Sequence, residues 1–449
     1  MRADPNSAPV LSGGSTTDDR ATSEGRDDDR GGDGMPRQAN AKAKWTVMVY
    51  LAGDNNLSDA GENDLEEMRR VGSSDDVNIV AQFDNAGELG THRYRIGKDG
   101  GDEAGEALAE TDSGAPEVLV DFVRWAAEQY PAERYALVLW NHGSGWDPLE
   151  VDRIARAVDA PDYTPREAGE RSASTLGRAL FRTTWERILQ RPTPLERAIC
   201  SDDGSGHSLD TIELARVLDE VTTILGQPLD ILGMDACLMS NLEVAYQVRP
   251  YARFMVASEE LEPNDGWPYD AVFAELVANP DRPTADLAAL IVRAYVDSYV
   301  SDDYPDPVTL AALDLAQVEQ LVAPLDALSD EMAARMGDVF VDVVKAERRA
   351  ARFYGNTLWD IAHFCEELGA ITVDPGVQAA TAEVRAALQP GAGRFVVAEA
   401  HNGDAVAKCG GTTIYFSPMT QVSQYYDELA FAQERRWRPM LAAYHATAG

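Results

Sequence analysis

Residues 229–240 read LDILGMDACLMS. The run is almost continuously apolar through Met234, and a carboxylate (Asp235) and a thiol (Cys237) then stand two positions apart. A strand apolar on both faces belongs in a sheet covered by helices on each side. In open sheets of that kind, ligands gather beyond the carboxyl ends of the strands, where Asp235 and Cys237 fall.

Similar runs recur outward from this stretch. WTVMVYLAG (45–53), VNIVAQFD (77–84), YALVLWNHG (135–143), FMVASEE (254–260) and TLAALDL (309–315) read as strands, and RYRIG (93–97) as a short antiparallel one. Segments with 3.6-residue periodicity lie between them, including 59–71, 117–130 and 210–225. This alternation predicts an α/β/α sandwich with a mainly parallel sheet. After residue 316 a helical pattern (317–353), the helix TLWDIAHFCEEL, and the strands RFVVAEA and GGTTIYFSP are expected to form a smaller C-terminal α/β unit. Residues 1–44, rich in Ser, Gly, Asp and Arg, bury too little apolar surface to offset ordering entropy and are expected to stay disordered. The expected domains are therefore 1–44, a main domain at 45–315 with an insertion at 148–199, and 316–449.

Composition excludes several functions. The net charge of −37 would repel a phosphate backbone, which argues against nucleic acid as a partner. No run approaches the roughly 20 apolar residues of a membrane helix, and the first 44 lack the apolar centre of a secretory signal. The expected location is the cytoplasm, with non-classical export left open. Five lysines stand beside thirty-four arginines, and so acidic and lysine-poor a surface suits a halophilic source. Cys200, Cys237, Cys365 and Cys409 are widely spaced, so neither a disulfide framework nor a structural metal is expected. SDDGSGHSLD (201–210) is oxygen-rich but fails the EF-hand pattern, so calcium is left open without support there, and no cofactor is required. No Gly-rich phosphate loop follows any strand, which disfavours a nucleotide-binding sheet.

Two strand ends carry chemistry. One is LWNHGSGW, with His142 before Gly143; the other is MDACLMS, with Cys237. A thiol becomes a useful nucleophile when an imidazole stabilises its thiolate and can protonate a leaving amine, and a Gly beside that His lets a backbone N–H approach an oxyanion. Cys200 and His207 are rivals, but Cys200 leads into an Asp/Gly/Ser loop without a comparable apolar run before it. Cys365 shares a helical face with Leu358, Ile361 and Leu368 and is expected in the core. Asn55 and Asn56 read as loop supports. The local pattern favours the Cys237–His142 pair.

The sequence resembles the clostripain-like cysteine peptidases, which have the caspase–gingipain type of fold. The resemblance runs from TVMVYLAGDNNL through VLWNHGSGW, DDGSGHSLDTIELARVL, ILGMDACLMSNLEVAYQV and SEELEPNDGWPYD to GGTTIYFSP and LAFAQERRWRPMLAAY. It implies a His142/Cys237 dyad that cleaves peptide bonds after basic residues, chiefly Arg, through a thioester. It also implies an oxyanion hole from the backbone N–H groups of Gly143 and Cys237, with Asp235 at the base of the specificity pocket and Asp265 in its wall. The expected partners are Arg- or Lys-bearing peptides and proteins, with the chain a monomer or a self-processed two-chain form. Residues 148–199 carry nine arginines, no lysine and eight acids. Self-cleavage there is the expected outcome, at one of Arg153, Arg156, Arg166, Arg171 or Arg178. The alternative class is a catalytically silent caspase-like scaffold that binds basic peptides or partner proteins.

Overall fold

A computed structural model describes residues 42–141 apart from 56, 86–89 and 109–110, then 143, 145–146, 199–202, 207–300, 306–353, 357–417, 422–423 and 425–448, with side chains not described at 103–106, 199–202 and 207–208. The 1–44 tail is therefore described only from Lys42, and nearly all of the 148–199 insertion lies outside the described residues.

The central sheet follows the apolar runs. Its strands are β1 (Ala43–Gly53), β2 (Val77–Asn85), β3 (Thr91–Arg95), β4 (Glu103–Ala107), β5 (Ala132–Trp140), β8 (Leu229–Asp235), β9 (Ala252–Ala257), β10 (Val308–Asp314) and β13 (Val396–Asn402). They lie in the order β13-β10-β9-β8-β5-β1-β2-β3-β4. The five from β9 to β2 are parallel, and antiparallel strands flank them on both sides. A separate hairpin pairs β6 (Ile199–Asp202) with β7 (His207–Leu209).

Alternate side chains of each strand enter two cores. Leu232 and Met234 pack with α2 (Pro116–Gln129), α3 (Thr211–Leu225) and α4 (Leu242–Val248). Ile231, one residue earlier, faces the opposite core with α1 (Ser58–Val71), α5 (Tyr269–Ala278) and α6 (Thr284–Ser298). Local chemistry starts the helices that bracket β8. Asp210 and Glu213 form a reciprocal capping box on α3, and the Asn241 side chain accepts from the Val244 N–H to cap α4.

Two expectations change. TLAALDL runs antiparallel to its neighbour β9, because two helices and a return, not one crossover helix, separate the strands. The segment 316–449 is also woven into the main body. Its β13 extends the central sheet beside β10, while β11 (Arg352–Phe353), β12 (Leu358–Asp360) and β14 (Thr413–Tyr415) form a three-stranded sheet. Helices α7 (Glu319–Ala334), α8 (Met336–Arg349), α9 (Ile361–Ile371), α10 (Pro375–Ala387), α11 (Ala430–Glu434) and α12 (Trp437–Ala448) pack on the core that contains Met234. Residues from Lys42 onward form one compact unit.

That junction buries a carboxyl group. Glu243 on α4 is fully enclosed, and its Oε1 accepts from the Tyr415 N–H (3.1 Å) and the Tyr426 hydroxyl (2.9 Å). Burial outweighs these bonds and pushes its pKa from 4.5 up to about 7. The unfolded chain ionises first as pH rises, so this group's stabilising share is complete below pH 4.5 and lost on passing about 7. The shift corresponds to a few kcal/mol, on the order of 3. Glu243→Gln should flatten the fall in melting temperature between those pH values and stabilise the protein above pH 7. An unchanged pH profile in thermal melts would contradict this account.

Candidate active site

β5 and β8 are parallel neighbours, and their register sets Trp140 beside Asp235. The ladder continues one step further, with the Asn141 N–H donating to the Asp235 carbonyl at 3.3 Å. The two chains then part. Asn141 and Gly143 leave β5, while Ala236 and Cys237 leave β8, so both loops border one cleft at the carboxyl edge of the sheet.

The β8 loop turns sharply. Leu238 adopts φ +65°, a left-handed conformation that costs a non-glycine residue on the order of 1 kcal/mol or more. The surroundings hold it there. Its N–H donates to the Glu260 carbonyl (3.2 Å), the Ser240 N–H donates to the Ser258 carbonyl (2.7 Å), and the Ser240 hydroxyl donates to the Gly411 carbonyl (2.6 Å). The Thr413 N–H completes the clamp at the Ser240 carbonyl, 2.9 Å away. On the other loop Gly143 packs so tightly that an added Cβ would lie 2.3 Å from the Cys237 carbonyl oxygen. Only glycine fits this approach.

Cys237 lines the cleft with Trp140, Asn141, Asp235 and Glu262, around a cavity of about 30 Å³. Burial pushes its thiol up to about 11, partly offset by the Glu262 N–H, which donates to the sulfur at 3.3 Å. The Glu260 carboxylate raises it further, and the backbone N–H groups of Cys237 and Gly143 lower it. These last two are the donors assigned above to an oxyanion hole. A thiol near 11 is thiolate in only about one molecule in 10⁴ at pH 7, so attack from this sulfur needs a base. The residue chosen for that role, His142, lies outside the described residues, as do the side chains of Cys200 and His207. His142's chain neighbours are described: Asn141 lines the cleft, and Gly143 abuts Cys237.

Asp235 is buried at the cleft base, where the Tyr269 hydroxyl (2.7 Å) and the Trp267 N–H (3.2 Å) donate to its Oδ2. A second carboxyl group, which the sequence reading missed, stands beside it. Glu262 is 7% exposed, and neither of its oxygens receives a hydrogen bond. Burial first, then the Asp235 charge, holds its pKa well above the carboxylate range. Two acceptors thus face each other and require a proton or a cation between them. Asp265, expected in the pocket wall, is exposed and lines an outer groove with Asp64 and Glu67. The turn at Gly266 (φ +56°) brings that glycine against the Asp235 carboxylate and leaves Asp265 on the outer side. The signal for Glu262 was its place just past β9, at the same edge of the sheet.

The remaining candidates behave as the residues suggest. Asn55 supports its loop through bonds to the Ala52 carbonyl and the Leu57 N–H, and Cys365 is a core residue on α9, although that helix begins at Ile361 and Leu358, expected on the same helical face, lies on β12. Asn56 lies outside the described residues.

The clostripain family model matches residues 49–159 and 185–442. Clostripain from Hathewaya histolytica is 28% identical over 270 residues, which span 53% of this chain and 43% of that relative, less than half its length. Among solved structures, a secreted C11 cysteine protease from Bacteroides thetaiotaomicron, in complex with an irreversible peptide inhibitor, is 19% identical with a TM-score of 0.60, over 89% of this chain and 99% of that one. An inactive zymogen C11 protease from Parabacteroides distasonis is 17% identical with a TM-score of 0.61, over 88% and 98%. At these identities the structures speak for a shared fold.

The cleft makes a chemical prediction. Cys237 lines it, and burial raises the thiols of Cys365 and Cys409 further than that of Cys237. Brief treatment of the native protein with iodoacetamide should label Cys237 and spare Cys365 and Cys409, as read by peptide mass spectrometry. Labelling of either buried thiol ahead of Cys237 would contradict the assigned cleft.

Proposed function

The chain belongs to the clostripain family, and from that premise we propose that it is a cysteine endopeptidase that cuts peptide bonds after arginine, and less readily after lysine. The observation that carries this reading is the buried carboxyl pair, Asp235 and Glu262, in the cleft that holds Cys237. A guanidinium offers five donors in a planar fork and a permanent charge, which is what two facing acceptors lack. Neutral side chains would leave the carboxyl pair without a charge partner, so the pocket should discriminate strongly.

In the proposed reaction His142 removes the proton from the Cys237 thiol, and the sulfur attacks the scissile carbonyl carbon. The Gly143 and Cys237 N–H groups hold the resulting oxyanion. As the carbonyl reforms, His142 gives its proton to the departing amine and a thioester remains. Water, deprotonated by His142, then attacks the thioester; the Cys237 thiolate leaves, recovers its proton, and the acid product is free.

Peptides ending in Arg, Lys, Asp or Leu before a fluorogenic amine test the reading. Turnover should follow Arg, then Lys, with Asp and Leu near background. Cys237→Ala and His142→Ala should each cost roughly three or more orders of magnitude in kcat with the fold retained, and Cys200→Ala should be silent. Asp235→Asn should lower the preference for Arg over Leu by an amount worth on the order of 2–5 kcal/mol. Binding of basic peptides without turnover would instead favour a silent scaffold. Protons compete with the guanidinium for the pair, whose pKa values burial raises, so kcat/KM for Arg substrates should rise with pH as the pair ionises. In Glu262→Gln the amide donates to Asp235, and that rise should move to lower pH. A profile unmoved by the substitution would separate Glu262 from substrate binding.

Self-processing belongs to the same proposal. The arginine-rich 148–199 segment lies between His142 and Cys237 and offers the enzyme its preferred residue at Arg153, Arg156, Arg166, Arg171 or Arg178. Wild-type protein should run as two fragments on a denaturing gel, and Cys237→Ala as one. An active wild type in a single band would exclude self-cleavage, and identical fragments from Cys237→Ala would assign the cut to another protease.

A further inference from the structure

Glu259, Asp360 and Cys409 come from three distant segments. Glu259 lies two residues past β9, Asp360 ends β12 and caps α9, and Cys409 sits in the turn before β14. Their ligand atoms all lie within 4.8 Å of one another, and the residues are 1%, 0% and 7% exposed. Backbone donors satisfy part of the group. The Gly411 N–H reaches Glu259 Oε2 (3.1 Å), while the Gly410 and His363 N–H groups reach Asp360 Oδ2 and Oδ1 (2.7 and 2.6 Å). Glu259 Oε1 is enclosed and receives no hydrogen bond. The strongest charges acting on Glu259, those of Asp360 and Glu399, are negative.

We propose that Glu259, Asp360 and Cys409 bind a divalent cation of the zinc class, as a structural clamp separate from the Cys237 cleft. A proton shared by the two carboxyl groups would relieve their repulsion but leaves the third group, a sulfur, without a role. Two oxygens and a thiolate suit zinc better than calcium or magnesium, which prefer all-oxygen sites. Tetrahedral zinc bonds of about 2.0 Å to oxygen and 2.3 Å to sulfur place ligand atoms roughly 3.3–3.5 Å apart, a modest contraction of the observed cluster. Cys409 would lose its proton on binding, and three anionic ligands would enclose a 2+ ion. Cysteine spacing gave no hint of this because the ligands are united only by the fold.

The clamp has a defined reach. Glu259 precedes Glu260, whose carbonyl fixes Leu238, and Glu262, whose N–H meets the Cys237 sulfur. The Cys409–Gly411 turn leads to the carbonyl that accepts from Ser240. The cation would therefore hold both walls of the nucleophile's loop.

The test uses the full chain carrying Cys237→Ala, which removes the cleft thiol as a competing ligand. Purified without chelator, it should hold one equivalent of zinc by elemental analysis. After stripping, Co²⁺ should restore one equivalent with a thiolate-to-cobalt charge-transfer band in the near ultraviolet, displaced by Zn²⁺. The band should vanish in Cys409→Ser and survive in Cys365→Ser. Glu259→Gln, which keeps side-chain volume, and Asp360→Asn, which keeps a helix cap, should each weaken metal binding by roughly 100-fold. Chelator should lower the melting temperature of the Cys237→Ala chain and leave that of Glu259→Gln in the same background unmoved. Absence of stoichiometric metal, or a cobalt band that outlasts Cys409→Ser, would overturn the proposal. So would a Glu259→Gln chain more stable than its parent with no response to metal, because a shared proton then accounts for the cluster. If Cys409→Ser does not fold, the Glu259→Gln titration decides alone.

Discussion

The parallel pairing of β5 with β8 is the constraint on which the site depends. With Trp140 opposite Asp235, the loops that leave the two strands have nowhere to go but past each other. A slip of one residue would exchange the faces of β8 and send Asp235 and Leu232 into the wrong layers, a change that the two cores on either side of the sheet forbid. The fit between Gly143 and the Cys237 carbonyl then follows from backbone geometry, and the left-handed turn at Leu238 is held by the bonds from Leu238 and Ser240 to Glu260, Ser258, Gly411 and Thr413.

Upon this frame the molecule collects buried carboxyl groups that face other acceptors. Asp235 with Glu262 and Glu259 with Asp360 share that arrangement, and Glu243 is buried with one oxygen unsatisfied. Each raises the free energy of the folded chain unless a proton or cation joins it. Such groups are costly as structure and useful as receptors. Their low-dielectric surroundings strengthen the attraction for a guanidinium or a metal ion as much as they penalise an empty, ionised site.

The parallel core was legible in the sequence because strands apolar on both faces have a single architecture available to them. The positions of Asp235 and Cys237 followed, since both lie where β8 ends. Strand direction at the edges was less legible, because TLAALDL looks the same whether it runs parallel or antiparallel. The choice is made by the helices before it, and β13 joins it through pairing with a segment almost ninety residues later. The acidic loop after β9 was visible, but which of its carboxyl groups points inward was not. Glu262, with its N–H on the Cys237 sulfur, lines the cleft, the turn that follows it at Gly266 leaves Asp265 outside, and sequence spacing carries no record of that rotation.

The bonds from Ser240 to Gly411 and Thr413 span 171 and 173 residues of chain. During synthesis, Cys237 emerges long before the segment that fastens its loop. The turn at Leu238 therefore lacks this support until the chain through Thr413 has been made and has folded back, and the loop that carries Cys237 cannot be set before then.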